Sequence, residues 1–288
     1  MRIGSYDIHP IDAGGFALDV GAMFGVVPRP LWEKTNPPDD RNRVTLATRA
    51  LLLVSDSRRI LVDTGNGTKC DDKFSAMYRI NVRPDTISGA LSAYGLTPSD
   101  ITDVILTHLH FDHAGGATVK SGQTVTPAFP RAKYYVQKDH WETALHPTER
   151  DKASFSTADF LPLRESGVLE LLDGEGELFP GIQLLLLHGH TRSLQVPLVS
   201  DGTTTLLFCS DLIPTASHIP LPWIMGYDLR PLVTLEEKRS ILKTAVAERW
   251  TLMFEHDPCT EAVTVNEGEK GFTVGKRIAL DLTLPEKP

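Results

Sequence analysis

Short apolar runs, each followed by polar residues, recur along the chain and predict a mixed α/β protein. Residues 43–63 predict a β-hairpin, because two apolar, β-prone runs flank the polar turn SDSRR. Further buried strands are predicted at 103–107, 132–137, 182–187, 203–211 and 251–257. Four of the predicted strands end in a loop that begins with His or Asp. Strand ends hold loop residues rigidly, so these loops are candidate positions for a binding site.

Helices are predicted between these strands from the spacing and capping of apolar segments. Residues 85–95 predict a helix with Asp85 as its N-cap. An amphipathic helix is predicted over 234–250, beginning with a capping box of Thr234 and Glu237. Other helical segments are predicted over 138–146 and 149–166, and irregular proline-rich loops over 26–40 and 219–231.

Composition and charge are those of an ordinary globular protein. The chain has 288 residues, 41% hydrophobic and 23% charged, and we expect one domain over 1–288. Its net charge of -8 disfavours nucleic acid and anionic membranes as partners. No apolar run approaches the length of a membrane span, and the N-terminus lacks the order of a secretory signal. Three widely spaced cysteines favour reduced thiols, so we expect a cytoplasmic protein.

The stretch THLHFDHAGG at 107–116 places three of the ten histidines within six positions. Crowded imidazoles repel one another when protonated, so something should hold these rings neutral. His108 and His110 lie two apart, so in extended backbone both point to one side and can hold one ion. Asp112 and His113 follow a turn and can hold a second ion. Imidazole and carboxylate ligands suit zinc and are tolerated by manganese, iron or cobalt.

This stretch resembles the signature of the metallo-β-lactamase superfamily, and the similarity extends over nearly the whole chain. The other matching segments follow apolar strands in the family's order: LVDTG at 61–65, HGHT at 188–191, SDL at 210–212 and FEHD at 254–257. The resemblance implies an α/β fold of four layers, the αβ/βα sandwich, with two divalent metal ions in one centre.

The resemblance also implies which residues hold the metals. The first metal would be held by His108, His110 and His190, and the second by Asp112, His113 and His256. Asp211 would bridge both metals, although an aspartate there also caps turns. His188 competes with His190, which fits the family's pattern of Gly before the ligand and Thr after it. Asp63 would orient a ligand histidine, or serve only a turn, and a buried structural role is the alternative for His256.

The reaction implied by such a centre is hydrolysis. Two neighbouring metals share a water and lower its pKa toward neutrality, and the hydroxide attacks a carbonyl or phosphoryl centre. Asp112 or Asp211 would pass the proton to the leaving oxygen. The product would be a ring-opened lactone or a cleaved ester.

Two loops, 21–32 and 220–228, resemble the branch that holds N-acyl-homoserine lactone lactonases and methyl-parathion-type phosphotriesterases. They predict an apolar cleft for a small lactone or ester, with core packing beneath long loops as the alternative. The residues predicted to wall it are Met23, Phe24, Trp32, Trp223, Met225 and Tyr227. Lactonases of this branch carry a tyrosine shortly after the bridging aspartate, which the segment DLIPTASH at 211–218 lacks. Tyr227 or His218 is the candidate replacement.

A quorum-quenching, lactonase-like hydrolase is therefore the leading interpretation. The alternatives are a phosphotriesterase or arylesterase, a glyoxalase II-like thioesterase, and a non-catalytic metal-binding protein. A complete set of ligand residues favours an enzyme over the last of these. The resemblance also implies a homodimer, with the proline-rich N-terminal loop as its arm.

Overall fold

Two β-sheets form the centre of the computed structural model, which describes residues 1–83 and 86–280. Within those residues the first sheet has the spatial order β1 (Arg2–Ile3), β2 (Tyr6–Asp19), β3 (Arg43–Val54), β4 (Arg59–Val62), β5 (Asp103–Ile105), β8 (Lys133–Gln137) and β9 (Leu169–Leu172). The second has the order β10 (Gly176–Phe179), β11 (Ile182–Leu187), β12 (Leu194–Ser200), β13 (Thr205–Phe208), β14 (Thr251–Met253), β15 (Ala262–Gly268) and β16 (Gly271–Ile278). A separate hairpin pairs β6 (Thr118–Ser121) with β7 (Thr124–Pro127).

Helices lie between the strands along the described chain. They are α1 (Val20–Phe24), α2 (Arg29–Trp32), α3 (Asp72–Tyr78), α4 (Thr86–Ser92), α5 (Phe111–Ala114), α6 (Lys138–Leu145), α7 (Thr157–Glu165) and α8 (Pro231–Glu248). No helix in residues 1–83 and 86–280 is both long enough and apolar enough to cross a membrane.

The hydrophobic core has four layers in the order helix, sheet, sheet, helix. Leu52 of β3 packs with the buried rings of Trp141 and Phe160, which lie on helices of the outer face. The next residue along β3, Leu53, points between the two sheets and packs in one cluster with Phe208 of β13. Because successive side chains of a strand point to opposite faces, the apolar run of β3 fills two layers. Helix α8 covers the outer face of the second sheet, which confirms the predicted αβ/βα sandwich.

Strand direction brings the candidate loops to one edge. Strands β4, β5 and β8 are parallel neighbours in the first sheet. Strands β13 and β14 are parallel in the second, and β11 runs with them because β11 and β13 are both antiparallel to β12. The loops that follow these strands therefore collect at the carboxyl edges of the two sheets, where ligands bind in open α/β folds.

Most of the predicted elements are confirmed, with local corrections. The hairpin of 43–63 is present as β3 paired antiparallel with β4. The capping box is wrong, because α8 begins at Pro231, three residues before Thr234, and its N-cap is Arg230. A proline in the first turn starts a helix readily, and it leaves Glu237 inside the helix. The predicted cap Asp85 lies outside the described residues.

Two further predictions need correction. The proline-rich stretch 26–40 is not wholly irregular, because Pro30 sits in the first turn of the short helix α2. The helix predicted over 149–166 is divided at Phe155 into one 3-10 turn, Lys152–Ser154, and α7. One domain over 1–288 stays a prediction.

Candidate metal centre

The histidine-rich stretch changes from extended to helical backbone in its middle. It leaves β5 extended, and α5 begins directly after His110, so Asp112 and His113 lie on the first helical turn. The glycines that follow allow close contact with the loop after β4. A methyl group on Gly115 would lie 2.1 Å from the carbonyl oxygen of Asn66, and one on Gly116 equally close to that of Thr64. Gly115 and Gly116 are therefore needed for this close contact between backbones and not for a left-handed conformation, since neither has a positive φ.

One group of donor atoms comes from His108, His110, His190 and Asp211, all buried. The Nδ1 atom of His110 lies 3.0 Å from Nε2 of His108 and 3.3 Å from Nε2 of His190. The Oδ2 atom of Asp211 lies 3.1 Å from the same nitrogen of His190. Four donor atoms therefore surround one point, as the tetrahedral environment of zinc requires.

A second group comes from Asp112, His113 and His256, which are also buried. The Nε2 atoms of the two histidines lie 3.2 Å apart, and each lies 3.7 Å from Oδ2 of Asp112. The Oδ1 atom of Asp211 lies 3.1 Å from Nε2 of His256. The Oδ1 atom of Asp211 thus faces the second group, and its Oδ2 atom faces His190 of the first, with Nε2 of His113 farther away at 3.5 Å. A carboxylate between two donor groups is the geometry expected of a bridge.

The outer nitrogens of His190, His256 and His113 are held by acceptors, whereas the outer Nε2 of His110 is buried without a hydrogen-bond partner. Nδ1 of His190 lies 2.8 Å from Asp228 Oδ1, and Nδ1 of His256 lies 2.8 Å from the carbonyl oxygen of Ala47. Nδ1 of His113 faces two carboxylates, Asp63 at 3.1 Å and Glu255 at 3.0 Å. Because these acceptors require a proton on Nδ1, each Nε2 presents a lone pair to the centre.

These lone pairs test whether metals fit the site. With both Nδ1 atoms protonated, the Nε2 atoms of His113 and His256 face each other at 3.2 Å with no hydrogen between them. Two buried lone pairs in contact are unfavourable unless a cation or an added proton lies there. Neutral imidazole nitrogens and carboxylate oxygens are also the ligands that zinc, manganese, iron and cobalt accept. The residues therefore fit two divalent ions.

Thr107 connects Asp63, which follows β4, to the segments that follow β5 and β13. Its carboxylate accepts hydrogen bonds from the Thr107 amide at 2.7 Å and the Thr107 hydroxyl at 2.6 Å. The same hydroxyl lies 3.1 Å from Nδ1 of His108 and 2.9 Å from the hydroxyl of Ser210. Asp63 and Ser210 both have positive φ, at 56° and 44°. Such backbone strain is held only where surrounding contacts fix it, as this network does.

Electrostatics around the centre favour added positive charge. Burial lowers the pKa of His190, but Asp211 and Asp228 outweigh it and raise that pKa to about 10. Likewise, burial is outweighed at His256, where Asp211 and Glu255 raise the pKa to about 9. Burial with neighbouring rings instead holds the pKa of His108 well below its usual value. The carboxylates thus attract cations, which protons or divalent metals supply.

A cavity of about 300 Å³ opens beside the two donor groups. Its floor includes His110, His190, His256, Asp112 and Asp211. Of the residues predicted to wall a cleft, the structure places Met23, Met225 and Tyr227 on its surface. The other three, Phe24, Trp32 and Trp223, do not line the cavity, and neither does His218, the second candidate for the missing tyrosine.

These four residues pack behind the cavity wall instead. Phe24 stacks on Trp32 and His218, with ring centroids 5.8 and 4.8 Å apart, and meets Trp223 edge-on. His218 accepts from the Thr215 hydroxyl at 2.8 Å and donates through Nε2 to the carbonyl oxygen of Met23 at 2.8 Å. Burial lowers the pKa of His218 to about 3. The neutral ring of His218 therefore links helix α1, which carries Met23, to the segment that carries Thr215.

Several residues around the site have no signal in the sequence pattern. Tyr78 and Arg150 line the cavity, and Asp228 holds His190. Glu237 of α8 accepts from the backbone amides of His188 at 2.6 Å and Gly189 at 3.1 Å. It thereby fixes the loop that carries His190, whereas Nδ1 of His188 accepts from the Ser193 amide, outside both donor groups.

The chain is similar to known proteins in sequence and in fold. The sequence profile of the Metallo-beta-lactamase superfamily matches residues 44–256. An N-acyl homoserine lactonase of Bacillus thuringiensis is 28% identical over 221 residues, covering 72% of this chain and 79% of that protein. The crystal structure of a probable metal-dependent hydrolase from Staphylococcus aureus superposes with a TM-score of 0.88 at 30% identity, covering 99% of this chain and 100% of the other. AidC, a dizinc quorum-quenching lactonase, shares the fold, with a TM-score of 0.80 at 20% identity over 98% of this chain and 97% of its own.

Proposed function

Because this chain belongs to the metallo-β-lactamase superfamily and is a hydrolase of that family, we propose that it opens the ring of N-acyl homoserine lactones. The centre would hold two divalent ions, both zinc. By destroying such signalling lactones the protein would act in quorum quenching, as the dizinc quorum-quenching lactonase AidC does.

The observation that carries the proposal is a bridging carboxylate beneath a largely apolar cavity. Asp211 offers one oxygen to each donor group, at 3.1 Å from His190 and 3.1 Å from His256. Above it, Met23, Met225 and Leu229 line the wall. A polar floor with apolar walls suits a compact polar ring that carries an acyl chain.

The bound ions would polarise the lactone carbonyl and supply hydroxide near neutral pH. Asp112, held at the rim of the second donor group, is the candidate to move a proton to the leaving ring oxygen. Tyr227 lies on the cavity surface, and burial raises the pKa of its phenol, which therefore stays protonated. As a donor it would hold the substrate's carbonyl oxygen, the role that a different tyrosine fills in the resembling lactonases.

The test is metal content measured beside hydrolysis of three substrates. The protein is depleted of metal, reloaded with zinc, manganese, iron or cobalt, and assayed with N-hexanoyl homoserine lactone, an aryl ester and paraoxon. Two zinc ions per chain with turnover of the lactone is the expected result. Turnover of paraoxon or the aryl ester alone would refute the lactonase proposal and leave the hydrolase assignment standing.

Tyr227→Phe tests the phenol separately. The variant should bind as much zinc as the wild type and lose about 100- to 1000-fold in kcat/KM on the lactone, because one donor to the developing negative charge is missing. Unchanged kcat/KM with full metal content would exclude this role for Tyr227.

A further inference from the structure

Arg150 connects two walls at the mouth of the cavity. It lies in the segment that precedes the 3-10 turn Lys152–Ser154, and its Nη2 donates to the carbonyl oxygen of Gly226 at 2.6 Å. Both residues line the cavity. The hydrogen bond therefore fixes an otherwise long, mobile side chain across the opening.

The rest of the guanidinium is available to a ligand. Within the described chain, Arg150 makes no ion pair and no hydrogen bond other than the one to Gly226. It is also the only lysine or arginine among the described residues of the cavity lining. A guanidinium carries five N–H donors, so four remain for acceptors in the cavity or in water.

The charge around Arg150 favours a neutral acceptor over an anion. The next residue, Asp151, also lines the cavity and is 5% exposed. Thr148 supplies two donors to its Oδ1 atom, and its Oδ2 atom has no hydrogen-bond partner. The cavity lining therefore already contains a carboxylate next to Arg150 in the sequence, although the two side chains form no ion pair. An uncharged dipole such as an amide carbonyl suits this rim better than a second carboxylate.

We propose that Arg150 donates a hydrogen bond to the amide carbonyl of the substrate and so selects N-acylated lactones over simple alkyl lactones. The inference rests on the proposed lactonase function. In an N-acyl lactone the ring carbonyl is engaged at the cavity floor, which leaves the amide as the remaining strong acceptor. The apolar wall residues Met23 and Met225 then receive the acyl chain.

The test compares two substrates on two variants. Arg150→Met removes every donor at similar side-chain length, whereas Arg150→Gln keeps one N–H donor for Gly226 without the charge. Each variant is assayed with N-hexanoyl homoserine lactone and with γ-decanolactone, which has an alkyl chain but no amide. Arg131→Met, an exposed arginine outside the cavity lining, is the matched control.

Arg150→Met should lower kcat/KM for the amide lactone about 10- to 100-fold, the size expected for a lost hydrogen bond to a charged group. Its kcat/KM for γ-decanolactone should change less than about twofold, and Arg150→Gln should show the same selectivity with a smaller loss. Equal losses on both substrates, or no loss on either, would overturn the inference while leaving the lactonase proposal intact. No turnover of either lactone by the zinc-loaded wild type would overturn both.

Discussion

Asp228 is the outer partner of a single histidine, so its removal should weaken one donor group selectively. Its Oδ1 atom accepts from Nδ1 of His190 at 2.8 Å, and the two side chains are 1% and 3% exposed. Outer partners of metal-binding histidines contribute about 10- to 100-fold to metal affinity, or about 1.4 to 2.8 kcal/mol. Asp228→Ala should reach the upper end of that range, because the ring loses its orientation and its fixed tautomer. Asp228→Asn should stay near about 10-fold, because an amide oxygen still accepts the N–H.

The assay is a zinc titration of metal-depleted protein against a chromophoric chelator at one fixed pH. Two binding steps are expected for the wild type, and each variant is compared with it step by step. Asp173→Asn, an exposed aspartate with no hydrogen bond or ion pair in the described structure, is the matched control. Circular dichroism of the metal-free variants shows whether folding has changed.

The reasoning fails if Asp228→Ala binds two zinc ions as tightly as the wild type. It also fails if both steps weaken equally in a folded variant, because only His190, of the first donor group, contacts Asp228. Selective weakening of one step is the result that the geometry requires.

Three further perturbations have definite expected results. Asp211→Asn should weaken both zinc sites together; elemental analysis after chelator treatment checks this, and selective loss of one ion would contradict a bridge. Gly189→Ala should lower the free energy of unfolding by about 1–3 kcal/mol in urea, because the new methyl group would lie 2.2 Å from the hydroxyl of Thr234, whereas Gly268→Ala has open space. Burial lowers the pKa of Lys238 to about 7 from 10.5. Between those pH values the unfolded chain binds more protons than the folded chain, so the free energy of unfolding of the wild type should rise with pH relative to that of Lys238→Met. Parallel curves of unfolding free energy against pH for the two proteins would refute this.

Local sequence pattern indicates His108, His110, Asp112 and His113, whereas the resemblance to the superfamily supplies His190, Asp211 and His256, each of which follows an apolar strand. His108 and His110 are two apart, and a period of two is readable without any knowledge of tertiary structure. The strands that end at His190, Asp211 and His256 have the same form, an apolar run followed by an abrupt polar loop. Parallel strands then bring their ends to one edge, which places these loops together.

Residues that act across the fold could not be predicted in this way. Arg150 reaches the cavity only because its segment lies opposite Gly226, 76 residues later, and no local spacing encodes that contact. Glu237 has the spacing of a capping box with Thr234, yet the helix starts earlier at Pro231, and the carboxylate instead binds a neighbouring loop.

The aromatic residues of the two long loops show a related limit. Phe24 and Trp32 were predicted to face a ligand, and both are buried against each other. Sequence pattern does not distinguish an apolar side chain that faces a cavity from one that packs behind the cavity wall. The homodimer and the cytoplasmic location stay predictions, because the structure of a single chain tests neither of them.

The donor groups draw on both sheets, so the proposed metal ions would hold the two sheets together. His108 and His110 follow a strand of the first sheet, whereas His190, Asp211 and His256 follow strands of the second. Ions that bind the folded chain, in which the two sheets are packed together, and not the unfolded chain raise the free energy of unfolding. The increase is about 4 kcal/mol at a free ion concentration a thousand times the dissociation constant. If the centre holds the zinc ions proposed for it, a chelator would act on this chain as a mild denaturant, and a shortage of zinc would expose the protein to proteolysis as well as remove its activity.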